Sequence, residues 1–163
     1  VQLDSPQGRF ATGLFQGMDT PKSGQPCGES GAGIMSVTPN FRDDEFRCKH
    51  CGKLVLDPRL PVLCQQIRTF ASKEKGFEIP LIVSSGYRCP EHNARVGGVP
   101  DSQHVQGRAA DLIPRGITAR ELHRLIMKAH YEHRLSCLGG LGLYRTFVHV
   151  DTYMTGKLRR WHG

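Results

Sequence analysis

S-Q-H-V-Q-G-R-A-A-D, residues 102–111, sets His104 and Asp111 seven residues apart and leads into the apolar run A-A-D-L-I. Downstream, F-V-H-V-D at 147–151 places a second histidine, His149, inside an apolar strand pattern. Side chains alternate faces along a strand, so Val148 and Val150 turn to the core while Phe147, His149 and Asp151 share the opposite face. The same alternation sets Ala109, Asp111 and Ile113 against Ala110 and Leu112. Asp111 and His149 meet if these strands are neighbours, and His104 reaches them from the preceding loop, with Gly107 and Ala109 leaving the approach uncrowded. His, Asp and His form a three-ligand nitrogen and oxygen set. Such a set leaves zinc a fourth position for water, the arrangement of a catalytic rather than a structural ion. Water held there becomes a hydroxide nucleophile near neutral pH.

The elements around these strands follow from local signals. Asp57 reads as a helix N-cap with Pro58 at the first helical position. Leu60, Leu63, Ile67, Phe70 and Ala71 then recur at helical spacing, and Gly76 stops the run. Ile79 to Ser85 reads as a short strand. Cys89 to Arg95 reads as a short helix with Pro90 near its start, halted by Gly97-Gly98. Thr118 with Glu121 makes a capping box before the core face of Leu122, Leu125, Ile126 and Ala129. Leu141 to Asp151 reads as strands, with Gly139-Gly140 as a turn. Helices mixed with strands close in sequence predict an α+β fold, a mainly antiparallel sheet with flanking helices.

The chain has 163 residues, enough for one domain with a sizeable core. Residues 1–35, rich in Gly, Ser, Pro and Gln, read as a flexible or extended arm, and 36–163 as the domain. Hydrophobic residues at 38% and charged residues at 23% are ordinary for a globular protein. No apolar run approaches the ~20 residues needed to span a bilayer. The N-terminus lacks the basic-then-apolar pattern of a signal peptide, although one could have been removed before the numbering begins. A net charge of +7 favours anionic partners such as nucleic acid or an anionic cell envelope. Specific nucleic-acid binding is not expected, because the chain lacks a complete pair of knuckles, a reader fold and interleaved aromatics. Monomer is the default expectation.

Five ordered motifs carry a resemblance: S-S-G-Y-R at 84–88, H-N at 92–93, V-G-G at 96–98, S-x-H-x-x-G-x-A-x-D at 102–111 and F-V-H-V-D at 147–151. Together with the opening N-F-R-D-D-E-F and the closing L-R-R-W, they resemble the zinc D-alanyl-D-alanine carboxypeptidase family, in its small single-domain branch of bacterial and phage cell-wall enzymes. The resemblance implies a hedgehog-like zinc fold and a peptidase that cuts peptidoglycan peptides, as a carboxypeptidase or a cross-link endopeptidase. It implies one catalytic zinc on His104, Asp111 and His149, and Arg88 aimed at a substrate carboxylate or the polarised carbonyl. A guanidinium suits that task because its planar fork pairs with such oxygens. It also implies a place at the bacterial cell envelope or periplasm, secretion, or a phage lytic role. In several relatives a carboxylate stands three residues before the second histidine, and here that position is Thr146. Asp151 is then the nearest candidate base, or equally a partner that fixes a ligand imidazole. Tyr144, Gln103 and Ser102 are candidate substrate or oxyanion contacts. His92 is expected to hold its loop.

Cys48-x-x-Cys51 followed by glycine is half of a structural zinc knuckle. Cys64, Cys89, His50 or His92 could complete it. Disulfides, favoured by an even count of six cysteines, and free thiols are the rival readings. Cys27 falls in the arm. The function classes left open are a peptidoglycan peptidase and a non-catalytic zinc-containing module that binds cell wall or protein partners. The absence of a carboxylate at position 146 keeps the second reading open.

Overall fold

The computed structural model describes residues 38–163; the arm and Cys27 lie outside the described residues. A short 3-10 helix, Asp43–Phe46, comes first. Helix α1 spans Arg59–Lys75, strand β1 Leu81–Ser85, helix α2 Pro90–Arg95, strand β2 Ala109–Pro114 and helix α3 Ala119–Tyr131. Strands β3, Gly140–Leu143, β4, Val148–Asp151, and β5, Arg159–His162, complete the chain. The architecture is α+β: one five-stranded sheet in the order β1-β2-β4-β3-β5 with three helices. All pairings are antiparallel except β3 with β5.

The helices end as their sequences dictate. Thr118 accepts from the Glu121 N–H at 3.1 Å while Glu121 Oε2 accepts from the Thr118 N–H at 2.9 Å, closing the capping box. Helix α1 begins one residue later than expected. Pro58 takes the cap position, yet Asp57 still caps, its Oδ1 accepting from the Arg59 N–H at 3.0 Å. Gly76 closes α1 with φ 75°, the left-handed conformation that glycine adopts without penalty.

Leu60, Leu63, Ile67 and Ala71 of α1 and Leu122 and Ile126 of α3 are buried in one cluster with Ala110, Leu112, Leu141, Val148 and Val150 of the sheet. Phe70, expected in that face, is only half buried. The helices therefore cover one side of the sheet, and the alternate residues of β2 and β4 turn to the other. The strands expected over Leu141 to Asp151 are β3 and β4, joined by an exposed bend that contains Thr146. Gly140, expected in a turn, opens β3. Strand β5 was not anticipated; L-R-R-W was read only as a closing motif.

Candidate metal centre

Neighbouring strands β2 and β4 pair Asp111 directly with His149. His104 arrives from the folded loop before β2, where its carbonyl accepts from the Arg88 N–H at 3.1 Å and from the Gly107 N–H at 3.2 Å. Gly107 is required less for access to the cluster than for its own backbone. Its φ is 67°, and a Cβ there would lie 2.3 Å from the Val55 carbonyl oxygen. Asn93 holds this loop: its Nδ2 donates to the Val99 carbonyl at 2.8 Å, and its backbone carbonyl accepts from the Gly98 N–H at 2.9 Å.

Three donor atoms converge. His149 Nδ1 lies 3.0 Å from Asp111 Oδ1 and 3.1 Å from His104 Nε2, and His104 Nε2 lies 3.2 Å from Asp111 Oδ1. All three residues are buried, between 2% and 8% exposed. The outward nitrogens explain the inward ones. His104 Nδ1 is 2.7 Å from the Gly86 carbonyl, which can only accept, so the proton sits on Nδ1 and Nε2 presents a lone pair. His149 Nε2 faces Asp151 Oδ2 at 3.4 Å, which favours the proton there and leaves Nδ1 bare. Two bare nitrogens and an anionic oxygen at this range repel one another unless a cation lies between them. Ligands ~2.0–2.1 Å from a tetrahedral zinc stand about 3.3 Å apart, so the triangle has the size such an ion requires. These residues could hold a metal.

Burial, helped by the charges of His149 and Arg88, pushes His104 below its ordinary value despite Asp111. Burial also works against charge on His149, but Asp111 and Asp151 outweigh it and raise its pKa. Burial would raise the Asp111 pKa, yet hydrogen bonds with His104 and His149 hold it well below the usual carboxylate range. Its second oxygen, Oδ2, accepts from Arg88 Nη2 at 2.5 Å, while Arg88 Nε donates to Ser85 Oγ at 2.7 Å. Arg88 thus touches a metal-ligand candidate directly.

Asp151 is fully buried. Its Oδ1 accepts from Arg159 Nη2 at 2.6 Å and from the Tyr153 N–H at 2.9 Å. Its Oδ2 faces the His149 nitrogen that points away from the cluster. Gly140 makes room for it, since a Cβ there would lie 2.0 Å from that oxygen. Gly142 does the same for Trp161, whose ring stands 5.1 Å from that of His149. Trp161 Nε1 donates to the Tyr144 hydroxyl at 3.1 Å, and Tyr144 stacks on Phe147 at 4.3 Å. Ser102 Oγ accepts from the His104 N–H at 3.3 Å. Gln103 Oε1 is buried without a hydrogen-bond partner.

The cluster opens into a cleft of about 680 Å³ whose wall includes Arg88, Gln103, Tyr144, Tyr153, Arg159 and Trp161. Arg159 and Trp161 escaped the reading of the sequence. Their only signal was the alternation in R-R-W-H, which puts both on the face beside Gly140 and Gly142 once β5 pairs with β3.

The sulfur atoms of Cys48, Cys51 and Cys89 form a second group that could hold a metal, and these thiols are free. Cys64, expected as a possible member, does not join them. It sits on the inner face of α1, wholly buried in the core, and burial pushes its thiol pKa far up.

No curated protein matches the chain. A family model described as Peptidase M15 does match, over residues 39–151. The matched span runs from the turn before the 3-10 helix to the end of β4 and takes in all three converging donors, so the chain belongs to the M15 peptidase family, the group that resembles D-Ala-D-Ala carboxypeptidases.

Proposed function

We propose that this protein is a zinc-dependent peptidase of peptidoglycan peptides, acting as a D-Ala-D-Ala carboxypeptidase or a cross-link endopeptidase. The observation that carries this reading is the convergence of His104 Nε2, Asp111 Oδ1 and His149 Nδ1, each with a lone pair aimed inward, at the wall of an open cleft. Zinc bound there supplies a Lewis acid for the scissile carbonyl and a water of lowered pKa.

The chain's own groups set the geometry. His104, Asp111 and His149 hold the ion. Gly86 O and Asp151 fix the two imidazoles in the tautomers that face it. Of the two roles open to Asp151, water base or imidazole partner, its complete burial and its bond to Arg159 support the second. Arg88 orients Asp111 and presents its cation at the cleft, where a substrate carboxylate or developing oxyanion would sit. The Tyr144 oxygen is occupied by the Trp161 N–H, so its own proton remains to be donated to substrate. Gln103 and Ser102 stand at the same wall and offer amide and hydroxyl contacts. The net charge of +7 suits work at an anionic bacterial envelope, whether by a cell's own enzyme or a phage lytic enzyme.

The test is incubation of zinc-loaded protein with a purified muropeptide ending in D-Ala-D-Ala and, separately, with a cross-linked muropeptide dimer, products being read by mass spectrometry. Loss of a terminal alanine identifies a carboxypeptidase, and conversion of dimer to monomers an endopeptidase. Intact substrates in both, with zinc demonstrably bound, refute hydrolysis and favour the zinc-holding binding module, the reading that a threonine rather than a carboxylate at 146 keeps open.

A further inference from the structure

We infer that Cys48, Cys51, Cys89 and His92 form a second, structural zinc site that braces the segment Gly86–Arg88. The first argument is geometric. The three sulfurs lie within 4.8 Å of one another, and His92 Nδ1 lies 3.5 Å from Cys48 Sγ. Ligands at zinc–sulfur and zinc–nitrogen distances of ~2.3 and ~2.0 Å stand about 3.5–3.8 Å apart in a tetrahedron, so small adjustments complete the set.

The second argument is the backbone. Cys48 to Cys51 is wound as a knuckle: the Gly52 N–H donates to the Cys48 carbonyl at 2.9 Å, the Cys48 N–H to the Lys53 carbonyl at 2.9 Å, and Gly52 has φ 69°. Cys89 and His92 supply the other pair at C-x-x-H spacing around the start of α2. Backbone donors are already turned on the sulfurs, the Cys89 N–H on Cys48 Sγ and the His92 N–H on Cys89 Sγ, each at 3.4 Å. Such N–H···S bonds are the outer support of bound thiolates. His50 also touches the group, its Nδ1 being 3.5 Å from Cys89 Sγ, but its Nε2 faces Glu91 at 3.7 Å and it lies on the exposed rim. His92 instead approaches the buried thiol, Cys48. Three thiols in one cluster cannot all pair as disulfides; a metal satisfies the odd number.

The site has a purpose in the fold. Phe46, two residues before Cys48, packs its backbone on Gly86 so closely that a Cβ there would lie 2.5 Å from Phe46 Cα. The Tyr87 N–H donates to the Phe46 carbonyl at 2.8 Å. The Gly86 carbonyl fixes His104, Arg88 contacts Asp111, and Cys89 follows directly. A metal shared by Cys48 and Cys89 therefore clamps both flanks of the segment that orients two members of the first cluster.

The experiment counts zinc per chain by elemental analysis in the full-length protein, purified with zinc and without reductant, and follows Co²⁺ substitution by absorbance. Wild type is expected to hold two zinc ions, His149→Ala one, and Cys51→Ser one. The thiolate-to-cobalt charge-transfer band in the near ultraviolet should persist in His149→Ala and be lost in Cys51→Ser, whose exposed position spares the core. Weaker metal binding in His92→Ala than in His50→Ala supports the fourth ligand, and the reverse order overturns it. No zinc and no charge-transfer band in folded His149→Ala overturns the site, as does a disulfide joining any two of these three thiols, located by peptide mapping of the unreduced protein. Because metal is counted without substrate, the site is judged independently of the peptidase reading.

Discussion

His149 has two ring nitrogens with different duties, and one backbone register decides both. Pairing with Asp111 directs Nδ1 into the cluster, and the strand's own Asp151 meets Nε2. His104→Ala or His149→Ala should abolish metal at this cluster and all hydrolysis, measured by equilibrium dialysis and product analysis. Asp151→Asn separates the two roles considered for that residue. As an imidazole partner it should weaken zinc at the His-Asp-His cluster by roughly 10–100-fold. A base would instead leave zinc affinity unchanged and depress kcat alone. Competition with a chromophoric chelator, set beside kcat at saturating zinc, reads the difference. Asp111 and His149 were legible in the sequence because period-two alternation states which side chains share a strand face, and His104 because the S-x-H-x-x-G-x-A-x-D motif sets it in the loop just before them. The partner of His104 was not, because a backbone carbonyl such as Gly86 O carries no side-chain signature.

At the scale of elements, β3 shows how a strand can serve two masters. Leu141 packs into the core while Gly140 and Gly142 leave space for Asp151 and Trp161 on the other face. Gly140→Ala drives a Cβ to 2.0 Å from Asp151 Oδ2, and Arg159 holds the other oxygen of that buried carboxylate, so Asp151 must move. We expect that variant to lose zinc affinity as Asp151→Asn does, with a destabilisation of ~1–3 kcal/mol for overpacking, read by urea unfolding. On α3, Thr118→Ala removes the capping box and should cost about 1 kcal/mol by the same method, with activity retained. Helices α1 and α3 were legible from caps and apolar period. Strand β5 was hidden because R-R-W-H is short and cationic, and it becomes a strand only by pairing with β3 across the fold.

Taken whole, the molecule divides its labour across the sheet, with the helical core on one face and the cluster on the other. Among the described residues no helix is long and apolar enough to cross a membrane. Asp57 ties the two regions together. It caps α1, pairs with Arg59 Nη2 at 2.6 Å and accepts from Thr152 Oγ1, just past β4, at 2.8 Å. Burial would raise its pKa, but the bonds from Arg59 and Thr152 hold it below the ordinary aspartate value. A depressed carboxylate contributes stability that is fully present above its unfolded pKa, about 4, and is lost as pH falls through the folded value. Asp57→Asn should therefore reduce stability at neutral pH and flatten the acid limb below about pH 4, measured by thermal unfolding across a pH series.

The central claim is metal-dependent peptide hydrolysis at the His-Asp-His cluster. Its most direct test is digestion of whole peptidoglycan by chelator-stripped, zinc-restored and zinc-treated His149→Ala protein, with released products quantified. We predict no product from the stripped protein, recovery on zinc addition, and none from the variant. Equal product from all three, or none from folded wild type with zinc bound at the cluster, would contradict the account.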